Sequence, residues 1–217
     1  NKNARKNPFA TFRKSITIDD VLNSKIISSP LKLLDCSSMR DGAASVILTR
    51  KENARKYTDT PIFIKGFGEY HDNSCFITHT FQKPITEFIA SKESARQAYK
   101  MARITSENID IAEIYAPFSA HELMIPEDLG FFDKGDMVKG IREGETEIGG
   151  RIPINTDGGL LSRGHPAWAT PIYELVSLIR QLRNENENQV DGAEIGLFQA
   201  EGGTVNNCFT AILSRGD

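Results

Sequence analysis

Between Gly158 and Thr170 the chain reads Gly-Gly-Leu-Leu-Ser-Arg-Gly-His-Pro-Ala-Trp-Ala-Thr, an order of residues that suits neither a helix interior nor a strand. Gly158 and Gly159 open backbone angles that other residues avoid. Pro166 fixes φ and removes a donor. The segment is therefore expected to be a loop, and it carries one imidazole, His165, between Gly164 and Pro166. Histidine changes charge near neutral pH, so a ring held in one orientation suits general-base work. A tight turn with an incidental surface histidine fits the same residues.

Patterning on both sides of the loop predicts an α/β chain, a mixed β-sheet flanked by helices. Residues 1–14 are basic and polar and read as an extended lead-in. Thr17 is positioned to cap a short helix through Leu22, with Asp19 and Asp20 favourable in its first turn. The apolar run 43–48 predicts a buried strand. Thr49 and Glu52 have capping-box spacing for a helix to about Lys56. Residues 61–70 form a strand pattern in which Gly66 and Gly68 mark a bend or close packing. Residues 71–90 are irregular. Ser91 is expected to cap a helix with Ala95, Ala98, Tyr99 and Ala102 on one face. A strand follows at 111–114, then a second capping box at Ser119 and Glu122. Residues 133–150 read as a long surface loop. Ile172, Leu175, Val176, Ile179 and Leu182 mark an amphipathic helix, with Thr170 as cap and Pro171 in its first turn. A polar loop at 184–189 leads to two strands, near 193–198 and 205–213.

Composition sets limits. A chain of 217 residues can bury the core of one large domain or two small ones. A net charge of −3 gives no electrostatic reason to expect nucleic acid or an anionic membrane. No apolar run is long enough to span a bilayer, and no signal peptide is visible. The first residue is Asn1 rather than Met, as in a fragment or a processed piece. Cys36, Cys75 and Cys208 lie far apart and cannot all pair, which fits reduced thiols in a cytoplasmic protein. No Cys/His spacing suggests a metal site.

Three blocks, in order, resemble the thiolases. The stretch Asn155-Thr156-Asp157-Gly158-Gly159 leading to Gly164-His165-Pro166 is similar to their Asn-x-x-Gly-Gly…Gly-His-Pro block. Leu34-Asp35-Cys36 through Arg40-Asp41-Gly42-Ala43-Ala44 resembles Asp-Cys-…-Asp-Gly-Ala-Ala. Residues 126–150 resemble the archaeal and sterol-carrier-protein-type branch, which lies beside the thiolase-like aldolases. The resemblance implies the C-terminal half of a thiolase fold, with 1–30 as the lead-in from the loop region and 31–217 as the domain. It implies a partner: an N-terminal half, in the same or a separate chain, that carries the nucleophilic cysteine. It also implies a homo- or hetero-oligomer, coenzyme A as part of the substrate, and no covalently bound cofactor.

Carried over residue by residue, the resemblance makes His165 the histidine that activates the cysteine and helps bind the thioester oxygen. Tyr115-Ala116-Pro117-Phe118 stands where relatives have Asn-Glu-Ala-Phe or His-Asp-x-Phe. Tyr115 therefore replaces a polar Asn or His, either as a hydrogen-bond donor and acid/base or as a pocket filler. Pro117, and the stretch Gln199 to Gly203, stand where relatives place a second catalytic cysteine, and neither supplies a thiol. Glu201 is a replacement acid/base or a surface carboxylate. Gly202 and Gly203 are expected to keep a backbone N–H near the thioester oxygen. Phe118, Asn155 and Trp168 are expected at the pocket, Trp168 taking a glycine's place and reshaping it. His121 is expected to face solvent. His71 and His79 fall in the irregular stretch, Cys36 is structural and Cys208 a buried small hydrophobe. Arg163 and Lys134 are solvated loop charges or contacts for coenzyme A phosphates. Three functions remain open: a thiolase-type acyltransferase, a thiolase-like retro-aldolase on a β-hydroxyacyl-CoA working with a zinc-ribbon/OB-fold partner, and a non-catalytic scaffold half.

Overall fold

The computed structural model describes residues 2–72, 86–203 and 205–216. Its helices are α1 (Ile18–Asn23), α2 (Lys51–Ala54), α3 (Ile89–Ala102), α4 (Ser119–Asp128), α5 (Met137–Glu143), α6 (Gly159–Ser162) and α7 (Thr170–Leu182). Its strands are β1 (Ile26–Ser28), β2 (Leu31–Lys32), β3 (Phe63–His71), β4 (Ile111–Ile114), β5 (Ile195–Gly202) and β6 (Asn207–Ser214). β1 and β2 form a small antiparallel ladder, and the main sheet runs β3-β6-β5-β4. Within it β4 and β5 are parallel, while β3–β6 and β5–β6 are antiparallel. Beyond β4, Ile154 adds one parallel bridge to Ala112. The sheet is mixed and has helices on both faces, as the sequence pattern predicts.

Strand alternation divides the core in two. Ala112, Ile114, Leu197 and Ile212 face Ala95 and Ala98 of α3 and Ile125 of α4. Ile111, Phe198, Ala200 and Leu213 face Leu178 and Leu182 of α7. Helix α3 lies directly on the backbone of β3. A Cβ on Gly66 or Gly68 would overlap the carbonyl oxygens of Ala98 or Ser94. Close packing, rather than a bend alone, is thus what those glycines permit.

Thr17 caps α1 as expected, in a reciprocal pair with Asp20. Other local expectations fail, those at Ser91 and Ser119 because a tertiary partner claims the side chain. Helix α3 starts before Ser91, whose hydroxyl is buried against the Cys208 thiol at 3.3 Å. Ser119 does not cap α4; its hydroxyl donates to Asp35 at 2.9 Å, and Glu122 accepts from Asn155 Nδ2 at 3.0 Å. Helix α2 starts at Lys51 with no side-chain cap, so the Thr49–Glu52 box is not made. The supposed long loop 133–150 contains α5, closed by Gly144 in the left-handed region. The lead-in is not wholly extended: Asn3–Lys6 is a 3-10 turn whose Ala4 is fully buried.

The largest departure is the run 43–48. It forms no strand, and Ile47 and Leu48 stand 79% and 75% exposed. A strand-forming sequence needs an edge to join, and this one joins none among the described residues. It continues a wider apolar exposure: Phe9, Ile18, Leu22 and Ile26 also lie mostly in solvent.

Candidate functional site

β4 and β5 run parallel and end together, with α3 and α4 on one face of the sheet and α7 on the other. Crevices outside the carboxyl ends of such strands are the usual ligand sites of open α/β sheets. Tyr115 is the first residue past β4. Its N–H donates to both the backbone and the side-chain oxygen of Gln199 in β5, each at 3.1 Å.

His165 reaches the same rim from the glycine-rich loop. Gly158, Gly159 and Gly164 have φ of 104°, 57° and 113°, in the region that favours glycine. A Cβ at Gly164 would also come within 2.8 Å of Arg40 Cγ. The backbone is tied on both sides: His165 N–H donates to Ser38 O at 2.9 Å, and Arg40 N–H donates to His165 O at 3.1 Å. The ring is held at both nitrogens. Nε2 is 3.1 Å from Tyr115 Oη, and Nδ1 is 2.8 Å from Thr170 Oγ1. The Tyr115 and His165 rings meet edge to face, centroids 5.4 Å apart.

Electrostatics set the charge states. Burial pushes the Tyr115 phenol up to about 12, with the Glu201 and Glu174 carboxylates adding to the effect. Burial, then the Arg163 cation, holds His165 below the ordinary histidine value. At neutral pH the phenol keeps its proton and the imidazole is neutral, so one ring nitrogen donates and the other accepts. With the ring proton on Nδ1, Tyr115 donates to Nε2 and Nδ1–H donates to Thr170; with it on Nε2 both bonds reverse. Thr170, expected as a helix cap, instead holds the second ring nitrogen.

The remaining expected residues divide. Asn155 is buried and fully engaged: Oδ1 accepts from Ile114 N–H at 2.9 Å, and Nδ2 donates to Glu122. It pins β4, α4 and the glycine loop together. Glu201 is no surface carboxylate; its side chain is 5% exposed and lies 3.3 Å from His121 Nδ1. His121, expected in solvent, packs between Phe88 and Phe118. Burial raises Glu201, opposed by His121. Phe118 is 37% exposed, Gly202 ends β5 and Gly203 follows it. Trp168, expected at the pocket, is instead 95% exposed. Cys36 Sγ donates to Lys32 O, and Cys208 lies under α3. Lys134 pairs with Asp128 at 3.0 Å. His71 ends β3 at the surface; His79 and Cys75 fall outside the described residues. A cavity of about 270 Å³ lies on the Arg163 side of the loop, and neither His165 nor Tyr115 lines it.

Sequence reasoning missed the polar face of α7. Thr170, Glu174, Ser177 and Gln181 are all buried, while Ile172, Leu175, Val176 and Ile179 are only partly so. Their spacing of four, three and four residues is helical and was the available signal. Through them α7 meets His165, Arg163, Glu113 and the 188–190 turn.

Comparison with known proteins fits this geometry. Residues 72–215 match the family described as thiolase C-terminal domain-like. The acetyl-CoA acetyltransferase of Methanothermobacter thermautotrophicus is 42% identical over 99% of this chain and 55% of that protein. The 17-hydroxy-3-oxo-4-pregnene-20-carboxyl-CoA lyase of Mycobacterium tuberculosis is 34% identical over 92% of this chain and 51% of that protein. Among solved structures, the Ltp2-ChsH2(DUF35) aldolase superposes with a TM-score of 0.85 at 28% identity, covering 98% of this chain and 55% of that one. The chain spans about half the length of the curated relatives it matches.

Proposed function

Because this chain belongs to the thiolase family, as its C-terminal domain, we propose that it supplies the acid/base half of an enzyme that makes or breaks a carbon–carbon bond in a CoA thioester. One observation carries the reading: His165 is held at both nitrogens, by Thr170 and Tyr115, at the carboxyl rim of the parallel strands. A neutral imidazole so held can take a proton from a thiol or a hydroxyl. The adjoining phenol can donate to an oxygen on which negative charge develops.

In the thiolase reading, the partner half brings a cysteine thiol to Nε2. The thiolate attacks the keto carbon of a β-ketoacyl-CoA. The bond to the α-carbon breaks, an acyl-cysteine remains, and the departing thioester enolate takes a proton. Glu201 is the candidate donor, since its burial raises its proton affinity. An acyl transfer to coenzyme A then frees the thiol. Half-length coverage of the relatives and the exposed apolar side chains between Phe9 and Leu48 support a partner half that covers them. No cofactor beyond the CoA moiety enters these steps.

A second reading is favoured by the Tyr115–His165 bond itself. With the ring proton on Nδ1, the phenol donates to Nε2 and the pair forms a relay for a hydroxyl proton. In a retro-aldol step the β-hydroxyl proton passes to this pair, and the hydroxyl carbon becomes a carbonyl. The broken bond's electrons go to the α-carbon, which is then protonated. No thiol takes part, and Cys36 and Cys208 are engaged elsewhere. The likeness to a CoA lyase and to an aldolase whose name joins Ltp2 to ChsH2(DUF35) supports this reading and a second subunit.

The test is Tyr115→Phe in the assembled enzyme, assayed with a β-ketoacyl-CoA plus coenzyme A and with a β-hydroxyacyl-CoA. Loss of one oxyanion donor typically costs ~10²–10³ in kcat. A loss confined to the hydroxy substrate selects the aldolase, and one confined to the keto substrate selects the thiolase. Unchanged kcat on both removes Tyr115 from the mechanism.

A further inference from the structure

Two residues before His165 lies a cation that neither reading uses. The Arg163 side chain is 6% exposed. One guanidinium nitrogen donates to Asp157 Oδ2, at the start of the glycine loop, and the other terminal nitrogen lies 3.8 Å from Glu174 Oε1 on α7. We propose that Arg163 is a positioning residue for the site: its guanidinium, clamped between Asp157 and Glu174, locks the Gly164–Pro166 turn onto α7 and so sets the direction of the His165 ring. The proposal rests on the reading of Tyr115 and His165 as the reacting pair.

Helix geometry makes the clamp effective. Thr170 and Glu174 are four residues apart and share one face of α7. The helix therefore meets the loop at two rungs, Thr170 at the His165 ring and Glu174 at the Arg163 fork. On the other side the backbone is fastened to the lead-in. Arg163 O accepts from Thr11 N–H and from its hydroxyl, at 3.2 and 2.9 Å, and Ser162 O accepts from Phe12 N–H at 2.9 Å. Arg163 is thus held from both directions, and the turn that follows it has little freedom.

The cluster is poorly built for stability. Arg163 Nε, its second terminal nitrogen and both oxygens of Glu174 have no hydrogen-bond partner among the described residues. Buried ion pairs with unmet bonds contribute little net stability, and fixing one geometry is the better-attested use of such groups. The carboxyl groups that face Arg163 are Asp157 from its own loop, Glu174 from α7 and Glu113 from β4, and burial raises the proton affinity of the two glutamates. Burial, then the same cation, depresses the proton affinity of His165, while burial, then Glu201 and Glu174, raises that of Tyr115. The cluster orients the imidazole and adds to what burial already does to its charge.

The experiment follows the His165 ring by NMR in the assembled protein with 13C-labelled histidine, alongside kcat against pH. Arg163→Met removes the cation, so the His165 midpoint should rise and the acid limb of kcat should move up with it. Asp157→Asn removes the anion nearest the cation, so the midpoint should fall. Arg163→Lys keeps the charge but loses the fork. It should hold the midpoint while turnover drops roughly ten- to hundredfold through misplacement of the ring. Opposite displacements in the Met and Asn variants show that the cluster's charge reaches the ring, and a Lys variant with its midpoint kept but its turnover lowered supports the clamp. Displacements in the same direction, or none, overturn it. Should the Met variant not fold, the Lys and Asn variants carry the test: a Lys variant with full turnover overturns the clamp. The titration needs no turnover, so absence of activity on CoA thioesters with these displacements intact would refute the function and leave the clamp standing.

Discussion

Thr170→Val is nearly isosteric and takes away only the hydroxyl 2.8 Å from His165 Nδ1. Thr170 is fully buried in the first turn of α7, so its packing is kept. The proposed base has its ring proton on Nδ1; that N–H then loses its acceptor, and Nε2 is no longer held as the open nitrogen facing Tyr115. A net hydrogen bond is worth about 0.5–1.5 kcal/mol. At about 1.4 kcal/mol per factor of ten, the ratio of the working tautomer to the other falls roughly two- to twelvefold. The assembled enzyme should lose turnover by at most that factor, with KM little changed. Thr170→Ser, which restores the hydroxyl, should recover most of it. Ring nitrogen chemical shifts report the tautomer directly. Full turnover in the Val variant with an unchanged tautomer would refute the role given to Thr170, as would a Ser variant no better than Val.

Three further outcomes follow from the geometry. Gly68→Ala forces a methyl group into the Ser94 carbonyl, so it should destabilise by about 1–3 kcal/mol in denaturant melts; a neutral effect would mean α3 can shift off β3. Burial, then the Asp157 charge, raises Glu113 from an ordinary carboxyl to about 8. The folded state thus holds this proton more tightly than the unfolded chain, and its stabilising contribution is present at acid pH and lost as pH rises from roughly 4.5 to 8. Glu113→Gln should flatten that fall in melting temperature, and an unaltered pH slope would contradict the assignment. Trp168→Ala removes a side chain that is 95% exposed, so the isolated chain should keep its stability within about 0.5 kcal/mol; a larger loss in the assembled enzyme alone would place Trp168 in an interface.

The α/β architecture was legible because strand and helix periodicities are local. The strand at 111–114 and the glycines under α3 were readable from residue types alone. The failures came where a polar side chain had two possible partners. Ser91, Ser119 and Thr170 all have capping chemistry, yet each hydroxyl points at a residue distant in the fold or on the loop beside it. The run 43–48 has a strand's composition, but composition does not say which sheet accepts it. At the site, the glycine loop identified His165, and the break in the Asn-Glu-Ala-Phe pattern drew attention to Tyr115. The Arg163 cluster and the Glu201–His121 pair were hidden. Charged residues read as solvated by default, and their burial depends on how α4 and α7 close over the sheet.

The central claim is that His165 is the proton acceptor in carbon–carbon bond chemistry on a CoA thioester. Its most direct measurement is kcat for His165→Ala in the assembled enzyme, with β-ketoacyl-CoA and β-hydroxyacyl-CoA substrates, together with binding of a non-reactive CoA thioester. Removing a positioned general base typically costs ~10²–10⁴ in rate, so turnover of the substrate in use should fall by that factor while thioester binding stays within about threefold. Turnover within a factor of two of the parent, with the variant folded and assembled, would contradict the claim.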